Sequence, residues 1–427
     1  MKSVIVSKFG GTSLSNSEQF SKVKKIIFSN ADRKYIVVSA PGKFKNEHKI
    51  TDYLENCYIY LCEKNYIRFD FEYSIVAKRY KEIVESLGIN IDIDTMLLNV
   101  KHSIMTDIDR DYIVSRGEYM SAIILSEYLG YEFVDSTELF IFSDEGMIDI
   151  NETIVNIRNK LKNYYGVIIP GFYGIDKNGK IKTFSRGGSD ISAAILSIAL
   201  QADLYENWTD VCGLMSADPN IVKNTFKINN IPYSLAKKIF KCGTILIHQD
   251  VMDVFEENFI PINIKNTNDE LNDGTLISCD KDYWSENEIF LLSIKENMTI
   301  FKFDLAFSEE CKYIVNYILY NYNNGVNMYN SLKSSYIFFD SNIEINKLIL
   351  DLLKQKFIGA DFTVFKNVCV YFIISNCQNI GILFEKFNTE GILISDTIDK
   401  TTDVFFARSE KSLEFAEEIH KMFEVLR

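Results

Sequence analysis

Ser3-Val4-Ile5-Val6-Ser7-Lys8-Phe9 is a short β-branched run that passes directly into Gly10-Gly11-Thr12-Ser13, and then into an amphipathic stretch marked by Phe20, Val23, Ile26 and Ile27. The near-continuous apolar run predicts a strand, the paired glycines a turn, and the three-to-four spacing a helix. The same order returns at Tyr35-Ile36-Val37-Val38-Ser39-Ala40-Pro41-Gly42, at Gly166-Val167-Ile168-Ile169-Pro170-Gly171, and at Ala202-Asp203-Leu204-Tyr205 after a helix expected over 190–200. Apolar strands alternating with helices predict an α/β fold, a mostly parallel sheet between helical layers.

The rest of the composition bounds the function. With 427 residues the chain has room for roughly three domains. Its 59 acidic against 46 basic residues give a net charge of −13, which repels a phosphate backbone and argues against nucleic acid as a partner. The apolar run before Lys8 is too short for a signal peptide. The longest apolar stretches, such as 193–200, fall far short of the ~18 residues a membrane span needs. A cytoplasmic protein with no membrane partner is expected. The eight cysteines show no Cys-x-x-Cys and read as reduced core residues, and His48, His102, His248 and His420 have no metal-site spacing.

After about Cys279 the glycine turns thin out. Two similar units follow about seventy residues apart, starting at Asn297-Met298-Thr299-Ile300-Phe301 and Asn367-Val368-Cys369-Val370-Tyr371. Each reads strand, helix (311–320; 380–387), strand (326–329; 392–394), strand (336–339; 404–406), helix (347–357; 413–423), a split-βαβ, ferredoxin-like order. The polar stretch at 280–290 is the expected boundary. The expected domains are 1–285, 290–360 and 361–427, with strands able to exchange between the last two.

Four motifs could carry chemistry, each beside a plainer reading. Lys8 with Gly10 and Gly11 puts a cation and free backbone N–H groups at a helix mouth, as a phosphate site requires; a paired-glycine turn is also common as structure alone. Arg186-Gly187-Gly188-Ser189-Asp190 makes a second anion pocket, or Ser189 and Asp190 are simply N-caps. Ser115-Arg116-Gly117-Glu118 leads into a helix, where Glu118 either complements the dipole or binds an ammonium group. Asn207-Trp208-Thr209-Asp210 follows a strand end, where open α/β sheets bind ligands, or forms turns.

Lys8-Phe9-Gly10-Gly11-Thr12-Ser13, Ser115-Arg116-Gly117-Glu118, Phe184-Ser185-Arg186-Gly187-Gly188-Ser189-Asp190 and Trp208-Thr209-Asp210-Val211, in this order, resemble the aspartokinases. The likeness extends to Ser39–Lys43, Gly243, His248, Asn266-Thr267 and Gly274–Ile277, and more loosely to the C-terminal units, which resemble paired ACT domains. The resemblance implies an amino-acid-kinase fold followed by two ACT domains, and transfer of the ATP γ-phosphoryl group to the side-chain carboxylate of L-aspartate. By that likeness Lys8, Gly10 and Gly11 hold phosphates, and Ser39, Thr51, Glu118, Arg186, Gly187, Gly188 and Ser189 surround aspartate. Arg186 takes its α-carboxylate and Glu118 its ammonium. Lys8 and Asp190 are the catalytic pair, with Asp190 orienting either the substrate amine or a magnesium-bound water. Thr209 and Asp210 face the nucleotide, and Mg²⁺ arrives with ATP. A carboxylate with a reference pKa of ~3.9 is already an ionised nucleophile, so no general base is required.

The chain departs from the family pattern at Met215, Asn220 and Ile245, where tyrosine, arginine and lysine are usual around the nucleotide; weaker or reshaped ATP binding is expected. A homodimer or larger assembly and a lysine or threonine effector are implied as well. The turns 305–311 and 374–379 lack glycine, and the first carries Glu309 and Glu310, so feedback is expected to be weak or altered. The competing readings are a glutamate-type amino-acid kinase and a non-catalytic amino-acid sensor.

Overall fold

The structure is a computed structural model and describes residues 3–184, 187–241, 247, 249–279, 290–304, 309, 312–313, 327–331, 334–340, 362–375, 392–399, 402–408 and 412–426. The chain forms two compact units. One comprises Met1–Leu214, Asn229–Tyr233 and Leu246–Tyr283; the other comprises Met215–Ile228, Ser234–Ile245 and Trp284–Arg427.

The first unit is built on an eight-stranded sheet in the order Asn230–Pro232, Thr275–Ser278, Ile262–Asn266, Leu204–Thr209, Ile5–Phe9, Arg33–Val38, Val167–Pro170, Glu132–Phe133. Every neighbouring pair is parallel except Ile262–Asn266 with Thr275–Ser278, as the strand–helix alternation predicts. In the central pair Val6 lies opposite Tyr205 and Lys8 opposite Asn207. Side chains alternate along a strand, so Val6, Lys8, Tyr205 and Asn207 share one face, and Ser7, Phe9, Glu206 and Trp208 the other.

On the second of these faces Phe9 stacks on Trp208 at 6.0 Å. The helix Ser17–Phe28 buries Phe20, Val23, Ile26 and Ile27 in the same core, each burial worth about 1.5–3 kcal/mol. The Asn16 side chain accepts the Gln19 N–H at 3.0 Å and starts that helix. Helices Ile50–Cys62, Tyr66–Leu87, Ile93–Thr106 and Arg110–Leu129 complete this layer. Opposite them, helix Gly188–Leu200 packs over Ile5–Phe9 and Leu204–Thr209, and Tyr205 stacks on Phe255 at 4.7 Å.

A charged network is built into the first layer. The Arg33 Nε and terminal nitrogen donate to the two Glu206 oxygens at 2.7 and 2.9 Å, while Ser7 Oγ and Trp208 Nε1 each donate to Oε2 at 2.9 Å. Both oxygens that burial strips of water are thereby hydrogen-bonded.

The second unit contains a six-stranded antiparallel sheet in the order Asn327–Asn330, Ser334–Asp340, Phe290–Asp304, Phe362–Ser375, Thr402–Arg408, Ile392–Asp399. Each half supplies one long strand and one hairpin, and the two long strands pair at the centre. The closing helix Ser412–Leu426 matches the one expected at 413–423. The helices expected at 311–320, 347–357 and 380–387 fall largely or wholly outside the described residues, as do residues 280–289 at the expected boundary. Segment Met215–Ile228 is part of this unit's core: Ala217 and Val222 pack with Leu292, Tyr371, Ile373, Phe415, Ile419 and Phe423. Leu292 N–H donates to Ser216 O at 2.7 Å, and Ser216 Oγ lies 2.7 Å from His420 Nε2. Among the described residues no helix is long and apolar enough to cross a membrane.

Candidate active site

The carboxyl ends of three neighbouring strands, Ile5–Phe9, Arg33–Val38 and Leu204–Thr209, converge on the Gly10-Gly11 turn, the position where open parallel sheets bind ligands. Gly10 N–H donates to Trp208 O at 3.0 Å, and Ser13 Oγ to the same oxygen at 3.2 Å. Gly42 N–H donates to Gly11 O at 2.7 Å. A Cβ on Gly11 would lie 2.8 Å from Ala40 O, and one on Gly42 would lie 2.7 Å from Gly11 C. Two backbone segments touch here, which requires glycine on both.

Lys8 leaves the face shared with Tyr205 and Asn207. Its Nζ, almost fully buried, lies 2.8 Å from Asp190 Oδ1 and 3.3 Å from Asn207 Oδ1, and the Tyr205 hydroxyl contacts the same Asp190 oxygen at 3.4 Å. Asp190 sits in the first turn of Gly188–Leu200, whose N-cap is Gly187 at φ 75° with no side-chain cap. The N-cap reading of Ser189 and Asp190 is therefore corrected: a left-handed glycine starts the helix, and the Asp190 carboxylate goes to Lys8. Ser189 packs against Gly171 at the end of Val167–Pro170, its Oγ 2.7 Å from where a Cβ on Gly171 would stand. Gly188 is held against Phe172 and Phe184, where a Cβ would come within 2.6 and 3.0 Å. Arg186 and Ile245, together with Gly243 and His248, lie outside the described residues.

Glu118 comes from the opposite helical layer. Its helix begins at Arg110, with the Asp109 side chain accepting Tyr112 N–H at 2.9 Å, so Glu118 is well inside the helix and the dipole reading is corrected. Gly117 looked like a helix entry, yet it serves a close approach inside the helix, since a Cβ there would lie 2.7 Å from Ala40 Cβ. Ala40 N–H donates to Glu118 Oε1 at 3.0 Å, while the buried Oε2 has no hydrogen-bond partner among the described residues. Burial pushes the carboxyl up to about 7, against the Ala40 N–H and the charge of Arg116, which lower it. The Arg116 guanidinium itself is stacked on Tyr119 and Tyr112, 4.4 and 4.5 Å from their ring centres.

Ser39 ends its strand with its N–H on Phe9 O at 3.2 Å, and half-buried Thr51 is the second residue of Ile50–Cys62. Thr209 O accepts Thr267 N–H at 2.8 Å, and its hydroxyl donates to Asp210 Oδ1 at 3.1 Å. Met215 and Asn220 belong to the second unit; Asn220 is exposed and donates through both nitrogens to Asp218 Oδ1, at 2.8 and 3.0 Å.

Several functional contacts escaped the sequence reading: the Ala40 N–H on Glu118, Tyr205 and Asn207 beneath the Lys8–Asp190 pair, and Tyr80, whose hydroxyl donates to Gly117 O at 2.7 Å. Strand alternation around Lys8 could have found the second pair. Among the described residues no group of three His, Cys, Asp or Glu could hold a metal ion.

The model of the amino acid kinase family matches residues 3–266. Aspartokinase 3 of Bacillus subtilis is 33% identical over 298 residues, a stretch covering 65% of this chain and 64% of that relative. The crystal structure of Clostridium acetobutylicum aspartate kinase aligns over 99% of this chain and 100% of its own at 34% identity, with a TM-score of 0.81. Escherichia coli aspartokinase III, solved with aspartate and ADP, shares the fold at 22% identity and a TM-score of 0.74, over 98% of this chain and 99% of its own. With a family model over most of its length and a 34%-identical structure aligned from end to end, the chain belongs to the amino acid kinase family and, within it, to the aspartokinases.

Proposed function

We propose that the chain is an aspartate kinase, transferring the γ-phosphoryl group of ATP to the side-chain carboxylate of L-aspartate. The observation that carries this reading is Glu118: a buried carboxylate with one unpartnered oxygen accepts an ammonium group and repels a second carboxylate. The E. coli relative crystallised with aspartate and ADP supports the same substrate pair.

Ser39, Thr51, Arg186 and the Gly187–Ser189 turn enclose the remainder of aspartate, with Arg186 taking the α-carboxylate in bidentate fashion. Gly10, Gly11 and Lys8 receive the phosphates, and Thr209 and Asp210 face the nucleotide. A side-chain carboxylate oxygen attacks the γ-phosphorus, the bond to the bridging oxygen breaks, and ADP leaves with that electron pair. Lys8 neutralises charge on the phosphoryl oxygens, and Asp190 holds the Lys8 ammonium in place between turns of the cycle. Mg²⁺, bound through the nucleotide, supplies further charge neutralisation. The C-terminal unit serves as paired ACT domains in a homodimer or larger assembly, with lysine or threonine feedback that is weak or altered.

The test is to incubate the protein with Mg·ATP and aspartate, glutamate or N-acetylglutamate, and to trap acyl phosphate with hydroxylamine. Aspartyl hydroxamate alone is expected; a glutamyl product would reassign the substrate, and no product with any of the three would remove the activity.

A further inference from the structure

Residues 39–49 run as a strap from the end of Arg33–Val38 to the helix Ile50–Cys62. The strap touches both halves of the site: Gly42 N–H reaches Gly11 O in the phosphate turn, and Ala40 N–H reaches Glu118 Oε1 in the substrate pocket. Its far part lies mostly at the surface. Lys43, Lys45, Asn46, His48 and Lys49 are exposed and Lys45 takes a φ of 53°; a bridge joins Phe44 and Glu47, the Tyr53 hydroxyl accepts His48 N–H at 3.2 Å, and the Asp52 carboxylate accepts Lys49 N–H at 3.2 Å.

Of the side chains that meet the strap, one spans three of its residues. Arg79, on the helix Tyr66–Leu87, is 3% exposed. Its guanidinium donates to Gly42 O at 3.2 Å, to His48 O at 3.4 Å and to the Glu47 carboxylate. It also lies 5.8 Å from the Phe44 ring centre. An arginine buried only for stability would be expected to face a buried acid, yet Glu47 is 43% exposed and two of the acceptors are strap carbonyls. The planar fork spans three points that a lysine ammonium cannot span together.

We propose that Arg79 is a positioning residue for phosphoryl transfer: it clamps the 39–49 strap and thereby sets the Gly11 turn and Glu118 in one fixed relation. The inference rests on the aspartate kinase reading of the same site. Displacing Gly42 and Ala40 would shift phosphate and substrate contacts together, and misplacement of about 1 Å can cost about 10²-fold in rate.

The test compares Arg79→Lys, Arg79→Ala and Glu47→Gln in the full chain. Arg79→Lys should lower kcat/KM for aspartate by about 10- to 100-fold, through kcat and KM together, and speed hydrogen exchange at the Ala40 and Gly42 amides. Arg79→Ala should regain part of its kcat/KM in millimolar guanidinium, whereas Glu47→Gln, which keeps both carbonyl contacts, should lose less and not respond. A normal kcat/KM in Arg79→Lys, or a loss in Arg79→Ala that tracks melting temperature and ignores guanidinium, sinks the proposal. A wild-type chain that gives no aspartyl hydroxamate removes the activity reading instead, and unchanged amide exchange in Arg79→Lys removes the clamp itself.

Discussion

Glu206 and Glu118 are both buried in the sheet-bearing unit, and their surroundings treat them in opposite ways. Glu206, 3% exposed, accepts four hydrogen bonds from Arg33, Ser7 and Trp208. Among the described residues Glu118, 5% exposed, accepts a hydrogen bond from the Ala40 backbone N–H, and its other oxygen has no partner. Desolvation is offset at the first and left standing at the second, and that is why burial raises the Glu118 carboxyl. The contrast separates a carboxylate whose hydrogen bonds hold the fold from one left with spare acceptor capacity.

The contrast breaks most visibly at Arg33. Arg33→Met leaves the Glu206 charge buried without its cation, with only the Ser7 and Trp208 hydrogen bonds, and should cost about 3–5 kcal/mol of stability in denaturant unfolding, with the aspartate KM of the folded protein unchanged. A loss below about 1 kcal/mol would put Glu206 in the class of weak surface pairs.

Glu118→Gln should act in the reverse sense. Losing the charge that meets the substrate ammonium should raise the aspartate KM by about 10- to 150-fold, from a charged hydrogen bond of about 1.5–3 kcal/mol. In the ligand-free protein the folded pKa lies above the ordinary value of 4.5 at about 7, so this carboxyl favours folding below 4.5 and that contribution is lost as pH rises through 7. Wild type should therefore lose stability between pH 5 and 8 by an amount that Glu118→Gln does not, while its aspartate KM falls over the same interval as the carboxylate ionises. Melting curves and initial rates at pH 6, 7 and 8 decide it; matching pH profiles for the two proteins would mean Glu118 is not the ammonium acceptor.

The smallest expected effect lies at a group that is not buried at all. Asn220→Arg restores a cation where the family resemblance puts one near the nucleotide, but Asn220 is exposed, so the gain should be about 0.2–1 kcal/mol, up to roughly five-fold in the Kd of Mg·ATP. Titration calorimetry that shows no change, or weaker binding, would overturn the local alignment.

How far these sites could be read in advance follows from their span along the chain. Lys8, Gly10 and Gly11 were legible because a strand, a turn and a helix lie within 30 residues, and local periodicity reports all three. The helix Ser17–Phe28 appeared with its buried face complete. The start of Arg110–Leu129 was missed because Gly117 looks like a turn; Asp109, which caps the helix, was the better signal. The Arg33–Glu206 pair joins residues 173 apart, and Arg79 meets Gly42 across 37. Neither has a local pattern, since a lone arginine in an amphipathic helix looks like any solvated one. The helices between Ile50 and Thr106 were unassigned although Asn65 and Asp92 cap two of them, because no glycine turn or chemical motif drew attention to their starts.

The path of the backbone between the two units has a consequence for inheritance. The chain passes from one unit to the other after Leu214, Ile228, Tyr233, Ile245 and Tyr283, so no single cut in the gene yields both units whole. A reading frame ended after residue 283 would still encode Ala217, Ile221, Val222 and Phe226 but none of Leu292, Tyr371, Phe415 and Phe423 against which they pack, leaving a hydrophobic surface prone to aggregation.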